Sequence, residues 1–72
     1  MTLEELRIRR NMSQQQLANI TGLTQGYISA LERGAKNNPG QVVVKKLASA
    51  LNVQRDVVLG LFPDTLPVLE KT

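Results

Sequence analysis

Apolar positions recur along the chain at three- and four-residue spacing in short blocks. Each block is bracketed by residues that start or stop a helix. Thr2 followed by Glu5 is a capping-box pair, which predicts a first helix beginning at Leu3. Leu3, Leu6 and the aliphatic stem of Arg10 share its inner face, and Asn11, tolerant of left-handed backbone, is the expected terminator. Ser13 caps a second helix over roughly residues 14–20, with Leu17, Ala18 and Ile20 as its apolar side. Thr21-Gly22-Leu23 makes a short turn. Thr24 then caps a third helix, which carries Ile28 and Leu31 and stops at Gly34.

The stretch Ala35-Lys36-Asn37-Asn38-Pro39-Gly40 is rich in turn formers. A fourth helix is predicted over residues 41–51, burying Val44, Leu47, Ala48 and Leu51. Val42 and Val43 hint at a strand, but Lys45-Lys46-Leu47-Ala48 continues the helical period. Asn52-Val53 turns the chain into a fifth helix over residues 54–59, with Gly60 as its expected C-cap. The fold class is all-α: five short helices in one domain over residues 1–62, followed by a tail, residues 63–72, with two prolines and no clear period.

Composition narrows the chemistry. Seventy-two residues support one modest core. With no cysteine and no histidine, the usual nucleophile–base pairs and nearly all transition-metal ligand sets are missing. Ser13, Ser29 and Ser49 have no imidazole to activate them. The expectation is a protein that is not an enzyme and that takes no cofactor, metal or small-molecule ligand. No apolar run approaches the roughly 20 residues of a membrane helix, and Met1 leads directly into an acidic helical stretch rather than a signal sequence. No membrane association and a cytoplasmic address are therefore expected.

The net charge of +3 is unevenly spread. Between Leu6 and Gln54 the only acid is Glu32, against Arg7, Arg9, Arg10, Arg33, Lys36, Lys45 and Lys46. A basic middle with acidic ends suits a polyanionic partner, although an ordinary solvated surface would look the same. Arg9, Arg10, Lys45 and Lys46 are expected to contribute diffuse field rather than contacts.

Two short helices joined by a glycine-containing turn make a helix-turn-helix pattern. Steep, close crossing requires a small residue on the first helix, met by Ala18. Gly22 permits the reversal, and Leu23, Ile28 and Leu31 give the second helix its inner seam. The joint spacing of Gln14, Leu17, Ala18, Gly22, Ile28, Leu31, Glu32 and Gly34 resembles the phage repressor and Cro-like helix-turn-helix proteins, over roughly residues 3–62.

That resemblance implies a compact five-helix fold like that of lambda repressor, with double-stranded DNA as partner and the third helix entering the major groove N-terminus first. Gln25, Gly26, Ser29 and Ala30 match positions that read base edges, and a glutamine there can bond bidentately to adenine. Gln14 resembles the family's phosphate-binding glutamine. Thr24, Tyr27 and Arg33 lie around the groove-facing side, with DNA-backbone contact favoured over core burial for Tyr27. Lys36 and Asn37 follow the helix where relatives touch phosphate; Gln16 is read as surface only. Glu32 would repel DNA, but its counterpart in relatives pairs with the residue matching Arg7, which implies a structural ion pair.

Gly26 is open to two readings: close approach of the helix backbone to the bases, or a first-turn position where glycine is merely tolerated. Gln41 stands where relatives often carry leucine, so a loose start to the fourth helix is expected. Leu59, Leu61, Phe62, Leu66, Val68 and Leu69 are more apolar surface than a small domain should expose. A homodimer interface through Leu59, Leu61, Phe62 and Leu66 is expected, with folding of the tail onto its own core the competing arrangement. The expected function is a sequence-specific transcriptional regulator, a repressor binding a palindromic operator as a homodimer. An antitoxin or restriction-system controller of the same fold, or an adaptor without its own operator, are the alternatives.

Overall fold

Hydroxyl caps set three of the helix starts. The computed structural model describes residues 1–36 and 38–62. In order these form α1 (Leu3–Arg9), α2 (Gln14–Thr21), α3 (Gln25–Arg33), α4 (Gln41–Leu51) and α5 (Arg55–Leu61). Thr2 Oγ1 accepts from the Glu5 N–H at 3.1 Å while the Thr2 N–H donates to Glu5 Oε1 at 2.8 Å. Ser13 repeats the arrangement with Gln16 at 3.0 and 2.7 Å. Gln16 is thus a capping partner rather than a bystander on the surface. Thr24 Oγ1 accepts from the Tyr27 N–H at 3.0 Å. These bonds satisfy donors that have no partner within their helices.

The stops follow backbone preference. Gly22 (φ 76°), Gly34 (φ 80°) and Asn52 (φ 58°) end α2, α3 and α4 in the left-handed conformation, and Asn11 (φ 57°) adopts it one residue after the α1 cap, Arg10. The expectation for Gly60 fails. Helix α5 begins after Gln54 and runs through Gly60 to Leu61, with Phe62 at its C-cap. Phe62 is a core residue, and its burial carries the helix past the glycine. Val42 and Val43 lie in α4, not in a strand, and α4 starts at Gly40 without a side-chain cap.

Helix α2 packs on α3 and on α4, α5 on α4, and α1 on α3. Leu17, Ile28, Leu47, Leu51 and Val58 are fully buried at the centre, with Ala18 buried beside them. Thr21 is buried too, and its hydroxyl donates to the Leu17 carbonyl at 2.8 Å and accepts from the Leu23 N–H at 3.3 Å. The Leu23 N–H also bonds the Ala18 carbonyl at 3.1 Å, so the turn between α2 and α3 closes with its donors met. Phe62, expected at a dimer interface, is only 5% exposed and belongs to this core instead. Leu59 and Leu61 are half-buried against it, and Leu66 lies outside the described residues.

A buried ion pair joins α1 to α3. Arg7 Nε and Nη2 donate to the Glu32 carboxylate at 2.6 and 3.2 Å, and Arg7 Nη1 donates to the Met12 carbonyl at 2.6 Å. The two side chains are 10% and 4% exposed. Hydrogen bonding to Glu32 raises the Arg7 pKa above its ordinary value against the opposing effect of burial, so the guanidinium stays charged. Arg10 is not confined to a diffuse field. Its Nε donates to the Leu51 carbonyl at 2.7 Å, meeting an acceptor left over at the end of α4.

Glu32→Ala would strand the buried guanidinium, a change that costs roughly 3–5 kcal/mol. At roughly 4–8 °C per kcal/mol for a domain of this size, the variant is expected to melt at least about 12 °C lower. Thermal unfolding followed by circular dichroism checks this; an unchanged Tm would show that the pair does not hold the helices together.

Candidate nucleic-acid interface

The first turn of α3 opens on the surface of the domain. Thr24, Gln25 and Gly26 are exposed, Ser29 and Ala30 half-buried, and Arg33 exposed again. Arg33 Nε donates to Ser29 Oγ at 3.2 Å, which ties two predicted contact residues to each other along one side of the helix. Tyr27, expected at the DNA backbone rather than in the core, is half-buried and packs against the core. The Lys36 N–H bonds the Ala30 carbonyl at 3.1 Å, which holds the exit of α3 and leaves the lysine side chain exposed. Asn37 lies outside the described residues.

The fold has no need of the glycine at position 26. Its φ is not among the positive values, and a Cβ placed there would meet nothing within 4 Å. Among the described residues neither backbone strain nor packing accounts for it.

Gln14 holds the start of α2 against the start of α3. Its Nε2 donates to Glu32 Oε1 at 2.9 Å, and its Oε1 accepts from Gln25 Nε2 at 3.4 Å. A continuous set of hydrogen bonds therefore runs from buried Arg7 through Glu32 and Gln14 to the exposed tip of α3. Sequence reasoning placed all four residues but missed the links through Gln14, because nothing in the local pattern joins residues 14 and 32. Gln14 opens α2, and backbone N–H groups in a helix's first turn suit an anion such as phosphate.

The described residues contain no group of His, Cys, Asp or Glu that could hold a metal ion. No helix among them is long and apolar enough to cross a membrane. The arrangement offers an exposed helix tip with amide, hydroxyl and guanidinium groups and an open glycine.

The helix-turn-helix family model matches residues 3–58, and the chain belongs to this family. It is a helix-turn-helix protein of the phage-repressor and Cro-like kind. Among curated proteins it is similar to RghRB of Bacillus subtilis (strain 168), an uncharacterized HTH-type transcriptional regulator, at 39% identity over 51 residues. That match covers 71% of this chain and 37% of the relative's length, so the chain spans well under half of that protein. No solved structure matches it significantly.

Alanine is favoured over glycine by about 1 kcal/mol inside a helix, and somewhat less in a first turn. Gly26→Ala is therefore expected to raise stability by roughly 0.5 kcal/mol or more while weakening binding to the preferred duplex several-fold. Paired denaturation and binding titrations check both halves. Unchanged affinity would mean that the glycine is merely tolerated.

Proposed function

We propose that this chain is a sequence-specific, double-stranded DNA-binding transcriptional regulator that seats α3 in the major groove, N-terminus first. The observation that carries this reading is the exposed α3 tip, whose Gln25 is bonded through Gln14 to a buried ion pair. A base-reading side chain needs such a fixed platform. Gln25, Ser29 and Ala30 face base edges, with Gly26 admitting close approach. The α2 N-terminus at Gln14, together with Thr24, Arg33, Lys36 and Asn37, meets the phosphate backbone. Tyr27 adds the exposed part of its ring to that contact.

One recognition helix spans few base pairs. A homodimer on a palindromic operator, with half-sites about 34 Å apart, supplies the missing specificity. Leu59 and Leu61 on α5, continued by Leu66 in the tail, are the proposed interface. Repression then follows from occupying a promoter. The protein acts by binding, without catalysis or cofactor, and in the cytoplasm.

Selection from random duplex DNA at low and then moderate salt tests the function. Phosphate-only attraction falls steeply with salt, as roughly the 0.9 power per phosphate neutralised. The expected outcome is recovery of a two-fold symmetric motif that survives the salt step; recovery of nothing above background would favour an adaptor role. Sedimentation of the full chain against a version ending at Phe62 tests the interface. The shortened version is expected to lose dimerisation, and a dimer that persists unchanged would remove the tail from the interface.

A further inference from the structure

A groove of about 290 Å³ lies between the end of α2 and the later turns of α4, lined by Ile20, Thr21, Lys45, Lys46, Ser49 and Ala50. Ile20, expected on the inner side of α2, is exposed there, as are both lysines. No acid lines the groove, and among the described residues neither lysine forms a salt bridge. Clefts that hold small molecules run from about 300 to 1,000 Å³. This one is at or below that range and suits one or two side chains of a peptide.

An exposed isoleucine beside two cations without acidic partners calls for a segment that carries carboxylates and large apolar side chains together. The chain has six acidic residues. Glu5 is held in the α1 capping box and Glu32 by Arg7. Glu4 and Asp56 lie in the first turns of α1 and α5, where negative charge complements the helix dipole. Asp64 and Glu70 are the other two, and they frame Leu66, Val68 and Leu69 in the tail. Alternate residues of an extended chain share one side, and Asp64, Leu66, Val68 and Glu70 are alternate: acid, apolar, apolar, acid. Pro67, between them, disfavours a helix.

We propose that residues 64–70 of one copy dock in the α2–α4 groove of a second copy, with Leu66 and Val68 against Ile20 and the carboxylates toward Lys45 and Lys46. This rests on the homodimer reading above and adds the surface that receives the tail. In a dimer joined at Leu59 and Leu61 the tails begin at the interface, because Phe62 directly follows Leu61. A segment that crosses to the other copy must start there. Each copy offers the same tail and the same groove, so under two-fold symmetry the exchange is reciprocal. Ile20 lies about 9 Å along α2 from Gln14, so the groove is away from the opening turn assigned to DNA.

Sedimentation of the full chain without DNA tests the charge match. Lys45→Glu with Lys46→Glu is expected to weaken the dimer about tenfold, the scale of two exposed ion pairs reversed. Adding Asp64→Lys with Glu70→Lys is expected to restore it. Both lysines are exposed, so the melting temperature is expected to hold. The chain has no cysteine, so introduced ones locate the contact. Ser49→Cys mixed with Thr65→Cys under mild oxidation is expected to give a disulfide between the two different chains, identified by mass.

A dimer indifferent to the charge reversal, or weakened by it and not restored, would overturn the inference and leave the homodimer standing. A disulfide formed within the chain of the double variant, with none between the mixed single variants, would put the tail in its own groove and overturn it too. A full chain that stays monomeric at every concentration would overturn both this inference and the homodimer on which it rests.

Discussion

The Arg7–Glu32 pair is the interaction on which the rest of the arrangement depends. Helix α1 has seven residues and α3 nine, too short to be stable alone in water. Leucines give α1 affinity for the core but little sense of direction, because apolar contact is non-directional. The bidentate pair supplies direction. It fixes the rotation of α1 against α3, and the third Arg7 bond, to the Met12 carbonyl, extends the restraint into the loop before α2. Replacement by apolar residues of similar volume could stabilise a core of this kind as well or better. The pair does something that apolar residues cannot: it presents a carboxylate oxygen, of known polarity, to Gln14.

The turn between α2 and α3 is a second constraint of the same kind. Gly22 adopts positive φ, Thr21 is buried with its hydroxyl bonded on both sides, and Ala18 lets the helices approach. Each solves a local problem, and together they set the angle at which the α3 tip leaves the body. The tip is therefore positioned from two directions, by the backbone of the turn and by side chains that lead back to the buried pair. Two independent restraints hold a side chain more narrowly than either alone, which direct readout of bases requires.

Features governed by residues three or four apart were legible in the sequence. The capping hydroxyls, the stops at Asn11, Gly22, Gly34 and Asn52 and the leucine, isoleucine and valine positions of the inner faces of α1, α3 and α4 follow from rules that act within one turn, and the structure agrees with them. Ile20, expected beside Leu17 and Ala18 on the inner side of α2, is 59% exposed, and buried Thr21 takes the inward place next to it. Gly60 misled because the signal for a helix stop is local, whereas the burial of Phe62 is a property of the assembled core. Arg10 misled for a similar reason. Its partner, the Leu51 carbonyl, lies 41 residues away and becomes an unmet acceptor only once α4 has formed. The Arg7–Glu32 pair was anticipated through family resemblance, not from pattern. The links of Gln14 to Glu32 and Gln25 had no local signature at all.

The glycine at position 26 shows how these levels of constraint separate. Gly22 and Gly34 are explained within the chain, since their φ values of 76° and 80° would strain most other residues. Gly26 has ordinary helical backbone and open space where a side chain would stand. Among the described residues the glycine relieves neither strain nor crowding. Under the proposed reading its reason lies on the exposed face of α3, beside Gln25. A side chain there would stand between the helix backbone and whatever the tip approaches.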